Sequence, residues 1–223
     1  MKNSTVLGFF GKKTLPWHDE IEAEKDWKTP SLSEMTSKAL SHFIKTDTNG
    51  FFLMVEGAKI DKAHHKNYAL RALHETAEFD KSIKESLETL ENSHLSNDTL
   101  VIVTADHGHT FSLSNYGDRS DDVDNVVSDR ITAFTQMDSS ATLGGYYTGP
   151  GNEDHGVKKN RFERRLKSAV QSNSASHSAE DVPIYATGPF AHLLTGTHEQ
   201  AFIGYLMKYA SCAGDKFKDG NHC

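Results

Sequence analysis

Two short stretches of this 223-residue chain gather side chains that bind cations. Glu56, Asp61 and His65 follow the apolar run Phe51–Val55, and Asp106 and His107 follow the apolar run Leu100–Val103. Placing carboxylates and imidazoles just beyond buried strands is costly unless they are paired or hold a positive ion. Oxygen and nitrogen donors of this kind suit zinc or magnesium rather than thiolate chemistry. Asp61 and His65 are four positions apart, so on a helix they share one face and can grip one ion. Asp106 and His107 are adjacent; a sharp bend after a strand, which Gly108 permits, would let their oxygen and nitrogen converge. Glu56 stands one step past its strand, next to Gly57, and a lone glutamate with water suits magnesium.

The elements that must position these groups follow from periodicity. Ser31 or Ser33 can cap a helix carrying Glu34 in its first turn and Met35, Ala39, Leu40 and Phe43 as its apolar stripe. Asn49-Gly50 turns the chain into a strand over Phe51–Val55. Leu70, Leu73, Ala77, Ile83, Leu87 and Leu90 then mark a long helix, and Ser96-Asn97-Asp98 turns into a second strand. Strand, helix and strand make a βαβ unit, and the uninterrupted apolar strands predict parallel pairing with both faces covered. In such sheets ligands collect beyond the carboxyl ends of the strands. A third strand is predicted at Val182–Ala186 and a closing helix buries Phe202, Ile203, Leu206, Met207 and Ala210. The basic stretch Arg161–Lys167 reads as a solvent-facing helix, and the acidic stretch from Asn115 to Arg130 as a surface loop without the glycine and closing glutamate of an EF-hand.

Composition narrows the function classes. The net charge of −7 opposes a broad nucleic-acid surface. No apolar run reaches the length of a membrane span, and the start has no secretory-signal core. Cys212 and Cys223 are the two cysteines. A short-range disulfide is the natural reading, with two free thiols as the alternative; the disulfide implies an oxidising compartment, compatible with the sequons at Asn3 and Asn97.

Three ordered segments carry a family resemblance. Residues 51–65, from Phe-Phe-Leu-Met-Val-Glu-Gly to Asp61 and His65, and residues 104–111 around Asp106-His107-Gly108-His109 resemble the metal-binding segments of alkaline phosphatases. Residues 176–182, Ser-His-Ser-Ala-Glu-Asp-Val, resemble a third, followed by Gly188-Pro189 and Gly196-Thr197-His198-Glu199-Gln200. The resemblance runs from about Pro30 to Cys212. It implies an α/β fold, part of a central mostly parallel sheet flanked by helices. Asp61, His65 and His177 would hold one zinc, Asp106 and His107 would contribute to a second, and Glu56 would bind magnesium. His177 enters only through the resemblance; read alone, it is a histidine in a serine-rich loop. His64 and His109 would support the ligands, and Lys62 would lie near the substrate phosphate or, through water, magnesium.

The same resemblance sets the expected function, hydrolysis of phosphate monoesters through a phosphoserine. The family's nucleophilic serine, an aspartate bridging the second zinc and magnesium, and the arginine that clamps phosphate have no counterpart here. The expectation is therefore a single partial domain over residues 1–223, the carboxy-terminal half of an animal-type enzyme, with little turnover alone. The family's calcium site is incomplete, since Gly8-Phe9-Phe10-Gly11 lacks its Phe-Glu pair. Homodimerisation and an extracellular or cell-surface location follow from the family, with membrane anchoring expected only of a full-length form. The alternatives are another hydrolase of the superfamily and a catalytically inactive metal-binding or interaction protein.

Overall fold

The computed structural model describes residues 5–24, 29–46, 49–113, 119–120, 122–123, 143–151 and 160–213, which group into two compact units. The first comprises residues 1–86 and 109–179, and the second residues 87–108 and 180–223. Cys223, Asn3 and most of the 115–130 stretch lie outside the described residues.

The first unit holds α1 (His18–Glu24), α2 (Leu32–Thr46), α3 (Ala58–His65), most of α4 (Ala69–Asn92) and short strands. Ser31 caps α2 reciprocally with Glu34: the Glu34 amide donates to Ser31 Oγ at 3.3 Å, and the Ser31 amide donates to Glu34 Oε2 at 2.8 Å. The buried face of α2 includes Ser33 and Thr36 beside Leu40, so part of it is polar. Glu78 of α4 meets this need, accepting the Ser33 amide at 2.8 Å.

Helix α1 is fixed to α4 by a buried ion pair. Arg71 Nε donates to Asp19 Oδ1 at 2.8 Å and its Nη2 to Asp19 Oδ2 at 2.6 Å, with both side chains under 5% exposed. Two residues beyond α3, Asn67 adopts a left-handed φ of 59°, a conformation asparagine tolerates. Buried Asn67 then donates to the Leu166 carbonyl at 3.0 Å and to Ser168 Oγ at 2.6 Å. A β-carbon at Gly149, whose φ is +145°, would collide with the Asn67 amide.

Strands β3 (Phe111–Leu113), β4 (Gly144–Gly149) and β5 (Ser168–Gln171) form one sheet, antiparallel between β3 and β4 and parallel between β4 and β5. Ala69, Tyr146, Leu166 and Ala175 make a core cluster against it, with Phe111 and Val123 packed alongside. His109 of β2 (Gly108–His109) and His177 of β6 (His177–Ser178) lie on two short paired strands.

The second unit holds β1 (Val101–Thr104) and β7 (Ile184–Thr187), paired antiparallel from Val101 with Thr187 to Thr104 with Ile184. Gly188 leaves β7 at a φ of +94°, and a β-carbon there would strike the Thr99 carbonyl. The closing helix α5 (Ala201–Ala210) buries Leu206. No helix among the described residues is long and apolar enough to cross a membrane.

The mixed α/β class stands, but the sheets are small, and three expectations change in detail. Phe51–Val55 joins no ladder among the described residues: its side chains alternate between half-buried and exposed, with Phe52 69% and Met54 77% exposed, and Phe51 stacks on Phe43 of α2. The predicted parallel βαβ unit is therefore not formed among the described residues, and the strand after α4 pairs antiparallel instead. Arg161–Lys167 is a single 3-10 turn, Arg161–Glu163, capped by Asn160, followed by extended chain that buries Leu166 against Asn67.

Candidate metal centre

The one-turn offset of Asp61 and His65 on α3 brings them to a common face, where they meet two imidazoles from the short β2 and β6 strands. Asp61, His65, His109 and His177 each offer one donor atom, all lying within 4.8 Å of one another. Asp61 Oδ1 lies at the centre. His109 Nε2 is 2.7 Å from it, and His65 Nε2 and His177 Nε2 are each 3.3 Å away. The two outer imidazole nitrogens are 3.2 Å apart.

Hydrogen bonds behind the cluster set its protonation pattern. An ionised carboxylate only accepts, so His109 Nε2 carries the proton in its bond to Asp61. Burial lowers the His109 pKa, outweighing the opposing effect of the Asp61 bond and charge, and favours a neutral ring. Burial alone would raise the Asp61 pKa, but the His109 bond and the neighbouring imidazoles hold it below the usual carboxylate range. His65 Nδ1 donates to the Ala175 carbonyl at 2.7 Å, leaving the Nε2 lone pair for the cluster in the neutral ring. The Ala175 amide returns a bond to the His65 carbonyl at 3.0 Å.

The segment before His177 is pinned in turn. The Ser176 amide donates to Thr148 Oγ1 at 2.9 Å, the Ser176 and Thr148 hydroxyls are 2.8 Å apart, and the Thr110 amide donates to the Ser176 carbonyl at 3.3 Å. His64 faces the core instead, with Nδ1 2.8 Å from the Tyr146 hydroxyl. Burial chiefly, and then the charge of His109, lower its pKa to about 4, keeping the ring neutral.

Beside His65 opens a cavity of about 510 Å³ lined by Trp17, Lys59, Lys62, Lys66 and Ser174 among others. Lys59 Nζ sits 4.1 Å from the Trp17 ring centroid. The cavity can therefore offer cationic side chains to an anion next to the cluster.

Asp61, His65 and His177, three of the expected ligands, thus come together with His109. Glu56 is exposed and lies outside this cluster. Asp106 and His107 follow β1 in the second unit, where Asp106 Oδ2 and His107 Nε2 are 3.3 Å apart and the Asp106 side chain is 84% exposed. The His107 amide also donates to Asp106 Oδ1 at 3.1 Å. Sequence reasoning did not find the Ala175 carbonyl that orients His65, the Thr148–Ser176 brace or the Lys59 and Lys66 lining; none has a local pattern that marks it.

Comparison with known proteins identifies the family. The alkaline phosphatase family model matches residues 1–213. Alkaline phosphatase of Gadus morhua is 37% identical over 94% of this chain and 43% of its own length. The tissue-nonspecific isozyme of Homo sapiens is 35% identical over 87% of the chain and 36% of its own length, and the membrane-bound alkaline phosphatase of Bombyx mori is 32% identical over 94% and 38%. The chain spans about two-fifths of the length of these relatives. With its metal-type cluster and a family match from residue 1 to residue 213, the chain belongs to the alkaline phosphatase family.

Proposed function

We propose that this chain supplies the metal-holding part of a phosphate monoester hydrolase, with Asp61, His65 and His177 holding one zinc. The observation that carries the reading is the triangle of Asp61 Oδ1, His65 Nε2 and His177 Nε2, with edges of 3.2, 3.3 and 3.3 Å. A tetrahedral zinc with ligand bonds of about 2.0–2.1 Å has ligand-to-ligand edges of about 3.3–3.4 Å. The three donors thus match one face of such a tetrahedron, which leaves the fourth position for substrate or water. Asp106 and His107 are assigned to a second zinc and Glu56 to magnesium, on the family motif.

Bound divalent ions supply Lewis acidity and neutralise phosphoryl charge. The protein's own groups orient and charge the site. His109 holds the Asp61 carboxylate by its Nε2–H, and the Ala175 carbonyl holds His65 in the tautomer whose Nε2 faces the cluster. Lys59, Lys62 and Lys66 line the adjoining cavity and favour an anionic substrate. The residues carrying the nucleophile and the phosphate-clamping arginine are assigned outside these 223, so the chain is read as one part of a single domain. A dimeric, extracellular or cell-surface form with a Cys212–Cys223 disulfide belongs to the same reading.

Two measurements test it. Zinc bound per chain after dialysis should fall by about one in His177→Gln, with the far-ultraviolet circular dichroism unchanged. Release of p-nitrophenol from p-nitrophenyl phosphate by the purified chain with zinc and magnesium should stay near the buffer rate. Unaltered zinc in His177→Gln overturns the ligand assignment, and robust metal-dependent turnover overturns the placement of the nucleophile elsewhere.

A further inference from the structure

A second group of nitrogen and carboxylate donors lies where α1 meets α4. His18 and Glu22 are four apart on α1, and His74 and Glu78 are four apart on α4, so each pair shares a helix face. Glu22 spans the two imidazoles, with Oε1 3.4 Å from His18 Nε2 and Oε2 3.2 Å from His74 Nε2. Glu78 Oε2 also lies 3.4 Å from His18 Nε2. The donor atoms of His18, Glu22 and His74 all fall within 4.8 Å of one another, and the two rings are 5.0 Å apart between centroids.

Two features favour a cation over simple pairing. The contacts of 3.2–3.4 Å are longer than the roughly 2.7–2.9 Å of charge-assisted hydrogen bonds, and close to the ligand-to-ligand edge of a tetrahedral zinc, about 3.3–3.4 Å. The Glu78 side chain is 3% exposed; the Ser33 amide donates to its Oε1 and the Ser31 and Ser33 hydroxyls also bond to the carboxylate, while its buried Oε2 lies 3.4 Å from His18 Nε2 and 4.0 Å from Lys81 Nζ. Burying an ionised oxygen is costly unless a positive charge joins it. Glu22, 60% exposed, leaves one side of the group open to solvent, which gives an ion a route in.

We propose that His18, Glu22 and His74, with Glu78 behind His18, form a zinc site separate from the Asp61 cluster that clips α1 to α4. Two imidazoles with carboxylates suit zinc, whereas an all-oxygen set would suit calcium or magnesium. The clip acts on the same two helices as the Arg71–Asp19 pair, so its effect is on the stability of that junction rather than on phosphate chemistry.

The test is zinc stoichiometry of the full chain after dialysis, measured for the parent, Glu22→Gln, His74→Gln, His177→Gln and the His74→Gln/His177→Gln double substitution. Glu22→Gln changes an exposed side chain and should leave the circular dichroism intact. The expected result is a loss of about one zinc in Glu22→Gln and in His74→Gln, adding to the separate loss in His177→Gln. Cobalt titration should show a ligand-field band that His74→Gln removes and His177→Gln leaves. Parent stoichiometry in both Glu22→Gln and His74→Gln overturns the proposal. Because His177→Gln reports on the Asp61 cluster alone, either site can fail without the other.

Discussion

Replacing Arg71 by methionine tests how much of the first unit depends on one buried ion pair. Arg71 is 2% exposed and Asp19 4%, and the guanidinium donates twice to the carboxylate, at 2.8 and 2.6 Å. It also lies over the Trp17 ring, 4.9 Å from the centroid. Methionine fills similar volume but leaves Asp19 buried, with Asn160 Nδ2, 3.5 Å away, as its remaining side-chain donor among the described residues. Removing one partner of such a pair costs about 3–5 kcal/mol, mostly because the other charge is left uncompensated. That is a large share of the roughly 5–15 kcal/mol by which a domain is stable. Asp19→Leu should cost less, since Glu20 Oε1 already stands 3.5 Å from Arg71 Nη2 and can take over part of the pairing. The double substitution Asp19→Leu/Arg71→Met removes both charges and should recover most of the loss. Urea unfolding followed by far-ultraviolet circular dichroism measures all three. A loss under about 1 kcal/mol in Arg71→Met, or a double variant as unstable as the sum of the singles, would refute the claim that the pair is desolvated and coupled.

Other substitutions probe the site and its supports. His109→Ala removes the bond that orients Asp61 and should weaken zinc binding by about 10–100-fold in a competition titration. Gly149→Ala forces a β-carbon onto Asn67 at a φ of +145° and should destabilise by about 1–3 kcal/mol in urea, whereas Gly204→Ala, where nothing lies within 4 Å, should be neutral or slightly stabilising. His64 adds a pH dependence to the metal-free chain: its pKa falls from 6.5 unfolded to about 4 folded, so the fold favours the neutral ring. Its contribution is therefore full above about pH 6.5 and is lost as pH falls toward about 4, to a limit of roughly 3 kcal/mol, and His64→Gln should flatten that part of the stability curve.

How much of this was legible in the sequence depended on whether the information was local. The shared face of Asp61 and His65 needs only a helix, and the Ser31 cap and apolar spacing that make α2, like the apolar spacing that makes α4, are written within a few positions of where they act. Strand pairing is not local. Phe51–Val55 and Leu100–Val103 have the same apolar run, yet one finds a partner in residues 184–187 and the other has none among the described residues, because a run of apolar residues specifies extended chain and leaves the neighbour to tertiary structure. The histidines divide the same way. His177 and His109 reach Asp61 across separations of 116 and 48 positions, and His74 reaches Glu22 across 52, distances over which spacing carries no signal. The family motif could flag His177, since a motif records long-range convergence indirectly. It says nothing of the ring carried by His74, whose partners were found only by folding α1 against α4. A histidine-rich chain of this kind therefore cannot be sorted into ligands and surface residues by counting. What separates them is whether a second element places an acceptor or a buried charge within about one coordination edge, about 3.3 Å, of the ring nitrogen.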